Sequence, residues 1–173
     1  MKISDNLSEQ EIESLLENFY KYFETGYIFE DFLKEYLLKI GLDEVEVTQR
    51  SRDGGIDLKA IRKGVGNFSE IDTIHYYIQA KKHTPNKSIG VKTIRELKGT
   101  IPFGYKGMLI TTAHFTDDAY KESLNDPSKP AVLIDGKLLV TSCIDNEIGF
   151  IFKPIFSKIE MDSILNKNEN KSN

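Results

Sequence analysis

Asp57, Gln79 and Lys81 are the residues of this chain whose types and spacing best fit a reaction. Gln79 and Lys81 stand two apart in a run, residues 74–81, that reads as a strand, so both side chains leave one face. Asp57 stands at the start of a preceding apolar run, just behind the Asp53-Gly54-Gly55 turn. If the two runs pair as a hairpin, a carboxylate, an amide oxygen and an ammonium meet on one surface. That set suits hydrolysis of a phosphodiester, which needs a divalent cation, an activated water and a positive group near the developing charge. A hard cation such as Mg2+ takes oxygen ligands, often one or two carboxylates completed by water and substrate phosphate. Asp57 is expected to bind the ion directly, with the Gln79 side-chain oxygen and the Ala80 backbone carbonyl as further donors. Lys81 is expected to position the attacking water and to stabilise the phosphorane.

The elements that must position these groups follow from hydrophobic periodicity. Ser8 and Glu11 form a capping-box pattern ahead of Ile12, Leu15, Leu16, Phe19 and Phe23 at helical spacing. A second helix is expected over 27–40, with Gly41 just past its end. Val45 and Val47 then alternate with polar residues, which predicts a strand. Ile56–Arg62 and Ile74–Lys81 are two further strands, joined by a loop over Lys63–Thr73. The second of these puts Ile74, Tyr76, Ile78 and Ala80 on one face and His75, Tyr77, Gln79 and Lys81 on the other. A helix is expected over 90–98, a fully apolar strand over Gly107–Thr112, and a helix over Asp117–Leu124 capped by Thr116. A strand over Ala131–Ile134 and a helix starting near Gly136 complete the series. The order α-α-β-β-β-α-β-α-β-α predicts an α/β fold, a mixed central β-sheet flanked by helices.

Composition narrows the class. The 173 residues are 39% apolar and 29% charged, which fits one globular domain with a sizeable core. No run reaches the 18 or so apolar residues of a membrane span, so no membrane partner is expected. The polar N-terminus lacks the apolar core of a secretory signal, and the single cysteine, Cys143, excludes an internal disulfide. A cytoplasmic location is expected. The net charge is −4, yet residues 50–98 hold 11 Lys and Arg against 5 Asp and Glu. A basic middle in an acidic remainder predicts a phosphate-binding face. Arg50, Ser51 and Arg52 at the mouth of the turn, with Gln49, are weak candidates for DNA contact. So are Lys82, Lys87 and Lys92, with His83, beyond the last strand residue.

The runs Phe29-Glu30-Asp31-Phe32-Leu33, Gly41-Leu42, Asp53-Gly54-Gly55-Ile56-Asp57-Leu58 and Gln79-Ala80-Lys81 closely resemble the Mrr-like catalytic domain of restriction endonucleases. That domain belongs to the PD-(D/E)xK nuclease superfamily. Leu109-Ile110-Thr111-Thr112, Phe115-Thr116-Asp117-Asp118-Ala119 and Leu133-Ile134-Asp135-Gly136-Lys137-Leu138 continue the likeness in order. The resemblance implies Mg2+-dependent cleavage of double-stranded DNA, with Mn2+ able to substitute, and catalytic roles for the residues that match as Asp57 and Lys81. It implies that Gln79 takes a position often held by Glu in the superfamily. It also implies that Glu30, matching a helical glutamate, joins the site as a metal ligand, directly or through water. The domains expected are an N-terminal helical extension over 1–26, the Mrr-like nuclease domain over 27–150, and a C-terminal extension over 151–173, disordered from about Asn166.

The expected function is therefore that of a restriction-type DNA endonuclease, with a repair or junction-resolving nuclease, or a non-catalytic DNA-binding module, as alternatives. Because the motifs fill most of the chain, a separate DNA-recognition domain or subunit is a possible partner. A double-strand break requires two sites, which predicts a homodimer. The apolar first helix, with Leu15, Leu16, Phe19, Tyr22 and Phe23, is expected either to provide the surface that pairs them or to pack on its own sheet. His75, His114 and Cys143 read as structural residues, and Tyr76 and Tyr77 as sheet packing.

Overall fold

The computed structural model describes residues 2–48 and 55–169, with Phe68 and residues 166–169 described by their backbone alone. Helix α1 (Glu9–Tyr22) starts at a capping box: the Ser8 hydroxyl accepts from Glu11 N–H, and the Glu11 carboxylate accepts from Ser8 N–H at 2.8 Å. The Thr25 hydroxyl accepts from Ile28 N–H at the start of α2 (Gly26–Lys39). Strands β1 (Glu44–Val47), β2 (Leu58–Arg62) and β3 (Ile74–Lys81) follow as an antiparallel meander. The chain then crosses through α3 (Val91–Thr100) to β5 (Lys106–Thr111) and through α4 (Asp117–Leu124) to β7 (Ala131–Ile134), both parallel to β3. The result is a mixed five-stranded sheet in the order β1-β2-β3-β5-β7, flanked by helices as the periodicity predicts.

Two short strands, β4 (Ser88–Ile89) and β6 (His114–Phe115), pair in parallel outside the main sheet. At two residues each they carry no period that a sequence reading can detect. Strand β2 is assigned from Leu58, two residues later than expected, because the ladder ends at Asp57.

Both faces of the sheet are covered. Phe29, Leu33, Tyr36 and Leu37 of α2 pack with Leu58, Tyr76, Ile78, Met108 and Ile110 on one face. The same cluster takes in Leu139 and Cys143 of α5 (Gly136–Asp145). Ile94 and Leu97 of α3 and Ala119 of α4 pack with Leu109, Ala131 and Leu133 on the other. The apolar face of β3 is therefore buried as expected, but its polar face is not open: Gln79 is only 8% exposed.

Helix α1 takes the second of its two expected places, on its own domain. Leu16 packs on Val140 and Ile144 of α5, and Leu15 and Phe19 join the same cluster. Phe23 is buried among Phe19, Phe29 and Phe32, with ring centroids 4.9 to 5.2 Å apart. Of the five residues expected to seek a partner surface, only Tyr22 is exposed. Periodicity leaves the choice open because it shows an apolar stripe but not what covers it. A sixth helix, α6 (Lys158–Glu169), runs past Asn166, where the sequence expects disorder.

Phe23→Ala should cost about 3–5 kcal/mol, the usual loss for a buried phenylalanine that leaves a cavity. Urea denaturation measures it. A loss below about 1 kcal/mol, or a fully stable protein lacking residues 1–24, would show that α1 is dispensable to the fold.

Candidate active site

The site begins where β2 parts from β3. Asp57 N–H donates to the Ile78 carbonyl at 2.9 Å, the last backbone bond of the ladder on that side. The next donor along β3 is Ala80 N–H, and a continued ladder would satisfy it with a carbonyl of β2. It donates instead to Oδ2 of Asp57 at 2.7 Å. The carbonyl that would have paired, that of Ile56, accepts from the Thr48 hydroxyl at 2.5 Å. The Asp57 side chain thus fills the gap left by its own strand, and half-burial fixes its carboxylate there. Burial pushes that carboxyl above the usual range, while the Ala80 N–H and the Lys81 ammonium pull it back only in part.

Gln79 lies opposite Asp57 across the pair, one step beyond the Leu58–Ile78 register. Its Nε2 donates to the Gly55 carbonyl at 2.7 Å. Because a carbonyl can only accept, that bond assigns the amide orientation and turns Oε1 the other way. Oε1 is buried and has no hydrogen-bond partner among the described residues. A buried acceptor left unsatisfied costs stability, so its persistence calls for an explanation in function. Gly55 is required by this seat: its φ is +89°, and a Cβ there would stand 2.9 Å from Gln79 Nε2.

Lys81 ends β3 on the same face as Gln79. Its carbonyl accepts from the Thr111 hydroxyl at 2.7 Å, and Thr112 N–H reaches it at 3.4 Å. Thr112 then holds the next turn of chain: its hydroxyl accepts from His83 N–H at 3.0 Å and donates to the His83 carbonyl. Both threonines are fully buried. Gly136 backs them, since a Cβ at that position would stand 2.4 Å from the Thr112 carbonyl. These residues direct the chain as it leaves Lys81, and the sequence reading assigned them no role. Their signals in the sequence are two hydroxyls at the end of an otherwise apolar strand and their places in the runs that continue the family likeness. Burial, then the charges of Lys87 and Lys81, hold the His83 imidazole below its ordinary pKa, so it is neutral near pH 7.

Other predicted residues fall in different places. Arg50, Ser51 and Arg52, together with Gln49 and Asp53, lie outside the described residues. Lys87 stands with Nζ 3.4 Å from the His83 ring, close to the Lys81 end of the strand. Lys82 turns instead onto α1, its ammonium 4.1 Å above the Tyr20 ring, and Lys92 faces Glu96 of its own helix at 3.9 Å. Lys63 pairs with Glu44 and Arg95 with Glu122, so part of the basic middle is offset by acids that the sequence places elsewhere. Glu30 is half-buried on α2, which packs on the face of β3 opposite to Gln79. His75 packs on Tyr105, His114 bonds Ser88 and the Pro85 carbonyl, and Cys143 is core, its thiol pushed up to about 12 by burial.

Among the described residues no three His, Cys, Asp or Glu side chains form a group that could hold a metal by themselves. The available donors are one carboxylate, the orphaned amide oxygen of Gln79 and the carbonyl of Ala80, which leaves its strand on the same edge as the N–H held by Asp57. All are oxygens, the donor type of a hard cation, and their number fits an ion that keeps waters in its shell.

The sequence matches the family model of a restriction endonuclease catalytic domain, Mrr_cat, over residues 24–143. No curated protein matches it. Among solved structures, the MspJI restriction endonuclease in complex with a 27-mer oligonucleotide matches with a TM-score of 0.66 at 21% identity. The match covers 87% of this chain and 36% of that one. The DNA modification-dependent restriction endonuclease AspBHI matches with a TM-score of 0.66 at 22% identity, over 99% of this chain and 43% of that one. At these identities the likeness shows the fold, and this chain spans less than half the length of either protein.

The raised pKa of Asp57 has a consequence for stability. A carboxyl whose folded-state pKa exceeds its unfolded value makes the ionised protein less stable, a cost absent below the unfolded pKa and complete above the folded one. Asp57→Asn keeps an acceptor for Ala80 N–H and removes the charge. In a chelator at pH 7–8 the variant should melt higher than the parent by roughly 2 °C. The difference should shrink as pH falls through the carboxylate range. A parent protein at least as stable at pH 8 would contradict the burial account of this group.

Proposed function

The chain belongs to the Mrr_cat restriction endonuclease family, and on that premise we propose that it is a Mg2+-dependent endonuclease that hydrolyses double-stranded DNA. The observation that carries the reading is the Gln79 Oε1, buried without a partner among the described residues, on the strand whose next residue donates its N–H to the Asp57 carboxylate. Asp57, Gln79 Oε1 and the Ala80 carbonyl would hold the ion, with Glu30 contributing through water from α2. The bound ion supplies a Lewis acid and lowers the pKa of a coordinated water. Lys81, whose backbone is tied down by Thr111 and Thr112, positions the attacking water and offsets the charge that builds on the scissile phosphate. Mn2+, another oxygen-seeking cation, would substitute.

Lys87, beside the neutral His83, extends the positive edge along which the DNA backbone would run. We assign sequence recognition to a separate domain or subunit, a reading supported by the 36% and 43% of the matched proteins that this chain covers. Cutting both strands needs two catalytic centres, for which we propose a pair of identical chains.

Plasmid cleavage with and without Mg2+ tests the reading. Asp57→Ala and Lys81→Ala should each lower the rate on the order of a thousandfold or more. Either variant cutting at near the parent rate would remove the assignment. Glu30→Gln should have a smaller effect.

Gln79→Glu separates the metal from the fold. A carboxylate there loses the donor to Gly55 and faces its carbonyl oxygen, so the metal-free variant should melt lower than the parent. Added Mg2+ should raise its melting temperature by more than it raises the parent's, since ligand binding stabilises the folded state. Equal shifts would mean that position 79 does not touch the ion.

Binding to duplex DNA in Ca2+ should weaken with salt at a slope of about −3 in log K against log salt. A slope near zero would show that the positive edge does not meet phosphate.

A further inference from the structure

We propose that Thr48 is a positioning residue of this site: its hydroxyl holds the Ile56 peptide turned away from β3 and so reserves the Ala80 N–H for the Asp57 carboxylate. The role deepens the function proposed above. Its effect on Mg2+ rests on that function, while its effect on the direction of Asp57 does not.

In a regular antiparallel strand the N–H and the C=O of one residue point to the same neighbouring strand, and successive residues alternate between neighbours. Asp57 breaks this rule. Its N–H faces β3, donating to the Ile78 carbonyl at 2.9 Å, while its carbonyl faces β1, accepting from Thr48 N–H at 2.9 Å. The Ile56 carbonyl faces β1 as well, and accepts from the Thr48 hydroxyl at 2.5 Å. The same hydroxyl lies 3.3 Å from the Asp57 carbonyl. Two successive carbonyls therefore converge on one residue, as they do at a bulge. Bulges beside functional sites re-aim a side chain, and the side chain here is that of Asp57.

Turned the regular way, the Ile56 carbonyl would face β3 and take the Ala80 N–H. The sheet would gain one bond, and Asp57 would lose the donor at 2.7 Å that now orients it. The choice depends on where the Ile56 carbonyl finds a donor, because a partly buried acceptor without one is costly. On the β1 side that donor is the Thr48 hydroxyl. Thr48 is itself held, since its N–H continues the β1–β2 ladder one step beyond Val47 and Leu58. Threonine thus brings two donors to one bend, where valine of nearly the same shape would bring only the backbone one. In the sequence Thr48 is merely the polar residue after Val47, and nothing local shows that its hydroxyl meets a peptide eight residues on.

Thr48→Val and Thr48→Ser, made in the full chain, separate the hydroxyl from the shape. The first readout uses neither metal nor DNA. In the metal-free parent the Ala80 amide proton, bonded to a carboxylate, should resonate downfield, and Asp57→Asn should move it upfield. In the Thr48→Val background Asp57→Asn should leave it nearly in place, because the Ile56 carbonyl has taken the bond. The Thr48→Ser background should respond as the parent does. The second readout is the Mg2+ concentration at which the melting temperature is half raised. It should increase about tenfold in Thr48→Val, the usual effect of losing a residue that orients a ligand, and stay near the parent's in Thr48→Ser. The metal-free melting temperature of Thr48→Val should change little, since one bond replaces another. Thr48→Ala, which lacks the hydroxyl without valine's added methyl, should repeat both results. An Ala80 amide that still follows Asp57 in the valine and alanine variants overturns the proposal. So does a Mg2+ midpoint equal to the parent's in those variants, or a serine variant as impaired as they are. If the amide responds as expected but the parent takes up no Mg2+, the positioning of Asp57 stands and the metal reading fails.

Discussion

Where two antiparallel strands separate, each backbone donor beyond the last ladder bond must find another acceptor or be stranded in a partly dry environment. In this protein the separation falls between Asp57 and Ala80, and the acceptor is the Asp57 carboxylate. A structural demand is met by the one group that the reaction also needs. The bond fixes the carboxylate's direction without neutralising it, because a carboxylate has further lone pairs to offer. Burial makes its charge costly, and a cation at the same place would repay that cost. The raised pKa of Asp57 and the Gln79 oxygen left without a partner among the described residues both carry a cost, and the ion we propose would offset both. Stability given up at a preorganised site is a common feature of catalytic centres.

The rest of the fold keeps that gap open and aims Lys81 at it. Parallel pairing of β3 with β5 sets Lys81 beside Thr111, so the hydroxyls at the end of β5 can hold the chain that leaves β3. The start of α5 presses on the same point through Gly136, and α1 presses on α5 through Leu16. Helix α1 therefore serves as an outer brace of the site, two contacts removed from it. On the other side, Gly55 gives Gln79 a seat and leaves its oxygen without a partner among the described residues.

Charge on this molecule is organised by neighbours rather than by sequence distance. Lys63 and Arg95 are offset by acids from β1 and α4, and Lys82 is drawn onto an aromatic ring of α1. What stays beside the site is a shorter basic edge, around Lys81 and Lys87.

The sequence by itself determined the order and type of the main elements and the mixed sheet, and it singled out Asp57, Gln79 and Lys81 as the candidate site. Those properties are encoded locally, in periods of two and 3.6, in caps such as Ser8, Thr116 and Asp135, and in short motifs whose residues lie a few positions apart. Tertiary structure decided what those residues touch. It turned the polar face of β3 into a buried one, folded α1 onto α5, and made Thr111, Thr112 and Gly136 into supports for Lys81. It also paired away lysines that composition counts as free. Each of these depends on contacts between residues tens of positions apart, and periodicity, which records only that a face is apolar or charged, carries no information about which distant face will meet it.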